Sequence, residues 1–109
     1  MNLTDADLKI VLPDLKKALR DTYGDRLVRL ILFGSQARGQ AGPESDVDVA
    51  VLVDGEIEPF REIDRLSYIL ADLNLRYGLL ISVLPLSTQT LETAEGPFWR
   101  NLREQGVTI

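Results

Sequence analysis

The chain has 109 residues, 45% hydrophobic and 27% charged, a length and balance that suit one globular domain over residues 1–109. It contains no cysteine and no histidine, which excludes disulfides, thiol nucleophiles, Ser-His-Asp triads and zinc sites built on sulfur or imidazole. A formal net charge of −5 argues against non-specific binding to nucleic acid, so chemistry is left to carboxylates, hydroxyls, Lys, Arg or a hard cation held by oxygen. The N-terminus carries acids where a signal peptide needs bases, and the apolar stretch from Tyr77 to Leu91 is interrupted by Gly78, Ser82, Pro85 and Ser87. These features predict a cytoplasmic protein with no membrane association.

In chain order, Thr4 and Asp7 form a capping-box pattern. Leu8, Val11, Leu12, Leu15 and Leu19 follow at helical spacing, with Pro13 as a kink or restart and Gly24 as the end. Leu27–Phe33 is short, apolar and bounded by turn residues, which predicts a buried strand. Residues 34–42 predict a small-residue loop with a helical turn. Asp46–Val53 is the clearest strand, with β-branched positions 47, 49, 51 and 53 on one face. Pro59–Tyr77 predicts a helix in which Ile63, Leu66, Leu70, Leu73 and Tyr77 form a helical stripe, closed by Gly78. A third buried strand is expected over Leu79–Leu84, stopped by Pro85, and a short helix over Pro97–Gln105. The sum is an α/β (α+β) domain: a small mixed sheet with helices packed mainly on one face. Tyr23, Tyr68 and Tyr77 read as core or boundary residues. Glu56, Glu58, Glu62 and Asp64 read as a solvated helix start, and Phe98 and Trp99 as a core lid or a partner surface.

Two features carry chemistry. Gly34-Ser35 follows a buried strand, which places backbone N–H groups and a hydroxyl where an anion can sit, with Arg38 in reach. Gln40 and Ala41 stand where a P-loop needs Lys and Ser/Thr, so this is no Walker motif, and alone it reads equally as a tight turn. Asp46 and Asp48, at i and i+2 on a strand, share a face; a cation such as Mg²⁺ relieves their repulsion, and a solvated strand end is the plainer alternative. Ser45 most simply caps the turn before Asp46.

Taken together, L-F-G-S-Q-A-R-G followed by S-D-V-D-V-A-V-L-V, from Leu32 to Val53, resembles the signature of the minimal nucleotidyltransferases of the DNA polymerase beta superfamily. The resemblance implies the nucleotidyltransferase fold. It gives Gly34, Ser35 and Arg38, and more weakly Ser45, to the triphosphate of ATP, and Asp46 and Asp48 to catalysis and to Mg²⁺ or Mn²⁺. Active members of that superfamily carry a third carboxylate on the next strand. Here that strand is L-L-I-S-V-L, and Ser82 is the residue that would occupy the position. The short chain resembles the stand-alone members that work beside a helical HEPN toxin as a hetero-oligomer. This implies an antitoxin that transfers AMP from ATP to a hydroxyl, a tyrosine, of the toxin. The alternatives are a degenerate antitoxin that neutralises the HEPN ribonuclease by binding alone, and a transferase acting on a small-molecule hydroxyl.

Overall fold

The computed structural model describes residues 5–34, 47–78 and 80–109, with side chains from residue 10 onward. The predicted capping box at Thr4, the helical turn within residues 35–42 and the strand positions Asp46 and Leu79 lie outside the described residues. The elements are α1 (Asp5–Tyr23), a 3₁₀ turn (Gly24–Arg26), β1 (Leu27–Phe33), β2 (Val47–Val53), α2 (Pro59–Tyr77), β3 (Ile81–Ser87), α3 (Thr88–Thr93), α4 (Pro97–Gln105) and β4 (Val107–Thr108). Among the described residues no helix is long and apolar enough to cross a membrane.

The strands form one mixed sheet in the order β3-β2-β1-β4. β2 runs antiparallel to β1 and parallel to β3, and β4 lies antiparallel on the other side of β1. The alternation of β2 sorts the core into two layers. Val47, Val49, Val51 and Val53 point to the face covered by α1 and α2, where Val11, Leu15, Leu19, Leu66 and Leu73 are buried. Ala50 and Leu52 point to the opposite face, where Leu91 of α3 and Leu102 of α4 close a smaller cluster with Ile31 and Leu86. The two long helices thus share one face, and the short C-terminal helices cover the other. Pro13 sits inside an uninterrupted α1.

Three sequence expectations need correction. β3 does not stop at Pro85 but runs through it to Ser87, with Pro85 opposite Val51. Among the described residues β3 is the outer strand of the sheet and has a ladder partner on one side only, so a proline whose nitrogen faces outward loses no ladder bond. Residues 88–93 form a helix that hydrophobic periodicity does not signal; it is set by Ser87, whose hydroxyl accepts from the Thr90 N–H at 3.1 Å. Tyr68 is not a core residue: it is 86% exposed, on the outer side of α2.

Glu62 is also unlike its expectation. It is only 5% exposed, and its carboxylate accepts a 2.8 Å hydrogen bond from the Tyr23 hydroxyl, with the Arg65 guanidinium 3.7 Å away. Burial first, and then the bond to Glu62, raise the Tyr23 hydroxyl above the ordinary phenol range. The fold therefore holds that proton more tightly than the unfolded chain does. The associated stability is complete below about pH 10 and is lost as the pH rises above it. Tyr23→Phe strands a buried carboxylate. It is expected to cost about 1.5–3 kcal/mol in urea unfolding at neutral pH and to flatten the alkaline decline. An unchanged unfolding midpoint and an unchanged alkaline limb would show that the bond contributes nothing.

Candidate functional site

The candidate site lies where β1 ends and β2 and β3 begin. Antiparallel register places Phe33 opposite Asp48, and parallel register places Ser82 on the other side of Asp48. Directly opposed residues carry their side chains on the same face, with Cβ atoms about 4.5–5.5 Å apart. Phe33, Asp48 and Ser82 therefore form one row across the sheet, on the face of Ala50 and Leu52. The burial of Asp48 is intermediate, and Ser82 is exposed.

Gly34 completes the described part of the site. Its φ of +72° is in the left-handed region that a side chain disfavours. A Cβ built there would lie 2.6 Å from Asp48 Oδ2. The glycine thus serves the turn out of β1 and also lets the Asp48 carboxylate lie against the backbone. Gly34→Ala should cost about 1–2 kcal/mol from the backbone conformation alone, and it should also displace the carboxylate. Urea unfolding and a titration of Mg²⁺–ATP check the two effects separately. Full stability with unaltered ATP affinity would dissociate Gly34 from the site.

The turn leading into β3 is fixed by two features. Gly78 closes α2 in the left-handed conformation, at φ +64°. The Asn74 side chain then accepts the backbone N–H of Ile81 at 3.0 Å, one residue before Ser82. The start of β3 is therefore tied to the end of α2, which holds Ser82 in register with Asp48.

Of the residues predicted for function, Gly34, Asp48 and Ser82 are brought together. Ser35, Arg38, Ser45 and Asp46 lie outside the described residues. Among the described residues no three His, Cys, Asp or Glu side chains gather to hold a metal. The described donors are one carboxylate with one hydroxyl opposite it in register, all-oxygen ligands of the kind a hard cation takes together with phosphate oxygens. Phe33 is the residue that sequence reasoning passes over. Its place beside Asp48 depends on the β1–β2 register, and the only hint is an aromatic at the last strand position before Gly34. Phe33 meets Phe98 of α4 edge to face, with centroids 5.9 Å apart, and Phe98 meets Trp99 in the same manner at 5.1 Å.

Known proteins resemble this chain in sequence and in fold. A protein of Methanocaldococcus jannaschii, provisionally named a protein adenylyltransferase, is 37% identical over 99 residues, covering 91% of this chain and 95% of that protein. The protein adenylyltransferase MntA of Thermococcus cleftensis is 38% identical over 81 residues, covering 72% of this chain and 78% of its own length. A crystal structure from Sulfolobus solfataricus, provisionally titled a nucleotidyltransferase, superposes with a TM-score of 0.53 at 20% identity over 99% of this chain and 89% of that one, a likeness of fold. The family model for the nucleotidyltransferase domain matches residues 4–94, which span every element that builds the row Phe33–Asp48–Ser82. That match covers well over half of the chain, and with the 37% identical relative it shows that this chain belongs to the nucleotidyltransferase domain family.

Proposed function

We propose that this chain is a metal-dependent transferase that moves AMP from ATP to a tyrosyl hydroxyl of a HEPN-domain toxin and acts as its antitoxin. The observation that carries the reading is the approach of the Asp48 carboxylate to Gly34, in a chain 37–38% identical to proteins named as protein adenylyltransferases. Asp48 and Asp46 would hold Mg²⁺, with Gly34, Ser35 and Arg38 on the triphosphate. The bound ion would supply charge neutralisation for the leaving pyrophosphate. The acceptor oxygen bonds to the α-phosphorus, the bond from that phosphorus to the pyrophosphate oxygen breaks, and the phenolic proton passes to water. Ser82, a neutral hydroxyl, is too weak a base to take it.

The same serine favours one second reading, a degenerate antitoxin that masks the toxin by binding. Incubation of this chain with ATP, Mg²⁺ and a cognate HEPN-domain protein, followed by intact-mass measurement, separates the two. Gain of one AMP on the toxin supports transfer. A tight complex with no mass gain would replace transfer by masking.

A further inference from the structure

The row beside Asp48 ends in aromatic side chains that the reaction above leaves without a task. Phe33 is half-buried, and its ring is met edge-on by Phe98. Trp99, partly buried against the second core cluster, packs edge to face with Phe98. Phe98 itself is 45% exposed. A large aromatic braced by two neighbours yet left half in water, in contact with the cross-strand neighbour of Asp48, offers a surface on which another ring can pack.

We infer that Phe33 and Phe98 form a platform for the aromatic ring of the acceptor, a tyrosyl side chain. The inference rests on the transfer reading for the acceptor's chemistry. Proximity decides between an acceptor ring and the nucleobase of ATP. Phe33 is the direct cross-strand neighbour of Asp48, with a Cβ separation of about 4.5–5.5 Å. The acceptor oxygen must come within about 3–3.5 Å of the reacting phosphorus, so the ring that carries it must lie beside the catalytic carboxylate. The nucleobase is held away from that phosphorus by the whole ribose. A phenol packed on Phe33 and Phe98 would gain ring contacts beside Asp48, whereas an aliphatic hydroxyl gains nothing from this surface. The platform thus selects tyrosine over serine or threonine.

The test uses binding as well as transfer. Saturation-transfer NMR with N-acetyltyrosinamide, in the presence of Mg²⁺ and a non-hydrolysable ATP analogue, should show contact at the ring protons; N-acetylleucinamide should show none. Phe98→Leu should weaken tyrosinamide binding about tenfold and raise the KM for the HEPN protein, with the calorimetric Kd for Mg²⁺–ATP unchanged. Phe98→Tyr, which keeps a ring, should restore acceptor binding and guards against a folding defect in the leucine variant. Loss of ATP affinity in Phe98→Leu with tyrosinamide binding intact would assign the platform to the nucleobase and overturn the inference. Equal binding of tyrosinamide and leucinamide by the unaltered chain would overturn it as well. If the chain binds tyrosinamide through Phe98 yet transfers no AMP, the platform stands and the transfer reading fails. If AMP reaches the toxin at the same KM with Phe98→Leu, the transfer reading stands and the platform fails.

Discussion

Replacing Asp46 and Asp48 together by Asn is expected to abolish metal-dependent ATP binding and to lower AMP transfer by about a thousandfold or more. Lewis-acid stabilisation in such sites is worth several kcal/mol, and each 1.36 kcal/mol is a factor of ten in rate. Asn is close to isosteric and keeps an oxygen but loses the charge, so the sheet should persist. Asp48 lies at the start of β2, outside both core clusters. Calorimetry in the presence and absence of Mg²⁺ checks the binding, and intact-mass measurement of the acceptor checks the transfer. Undiminished metal-dependent ATP binding in the double variant would remove the metal from this end of the sheet.

Ser82→Asp carries the second large effect, in the opposite direction. The register places residue 82 beside Asp48, where a carboxylate could bind the catalytic cation and take the acceptor's proton. A positioned base is typically worth about 10²–10⁴ in rate, so the variant should transfer AMP faster by a factor in that range. The residue is exposed at the start of β3, so a larger side chain meets little steric resistance. The added acid repels Asp48 in the absence of metal, and the comparison belongs at saturating Mg²⁺. Robust transfer by the unaltered chain with no gain in Ser82→Asp would mean that the base comes from elsewhere. No transfer by either, beside a tight complex with the toxin, would establish masking as the mechanism.

Much of this frame was legible because periodicity and punctuation agreed. β1, α2 and α4 fall on their expected residues, β1 as a short apolar run ended by Gly34 and the two helices as apolar stripes between Pro and Gly. Legibility failed where tertiary context overrides a local signal. Pro85 reads as a stop in sequence, but an outer strand tolerates it. Glu62 reads as a solvated acid until Tyr23, 39 residues away, supplies a buried donor. The helix over residues 88–93 is too short to show a period, and its cap pairs Ser87 with Thr90 instead of with Glu or Gln. At the site, the acidic strand and the glycine before the loop were readable as chemistry. The neighbours of Asp48 were not, because strand register is a long-range property: Phe33 and Ser82 are distant in sequence and meet only across β2.

The proline in β3 also bears on how copies of this chain meet one another. An outer strand is a template on which a further strand can add, and open edges are where sheets fuse into dimers or fibrils. Pro85 stands at the middle of β3, fully buried, and offers no N–H to an incoming chain. Growth beyond β3 is therefore interrupted at its centre. The opposite margin is blunted differently, by a two-residue β4 too short to template much. Among the described residues both margins of the sheet are thus poor templates, which disfavours edge-to-edge polymerisation through backbone ladders and leaves self-association mainly to side-chain faces.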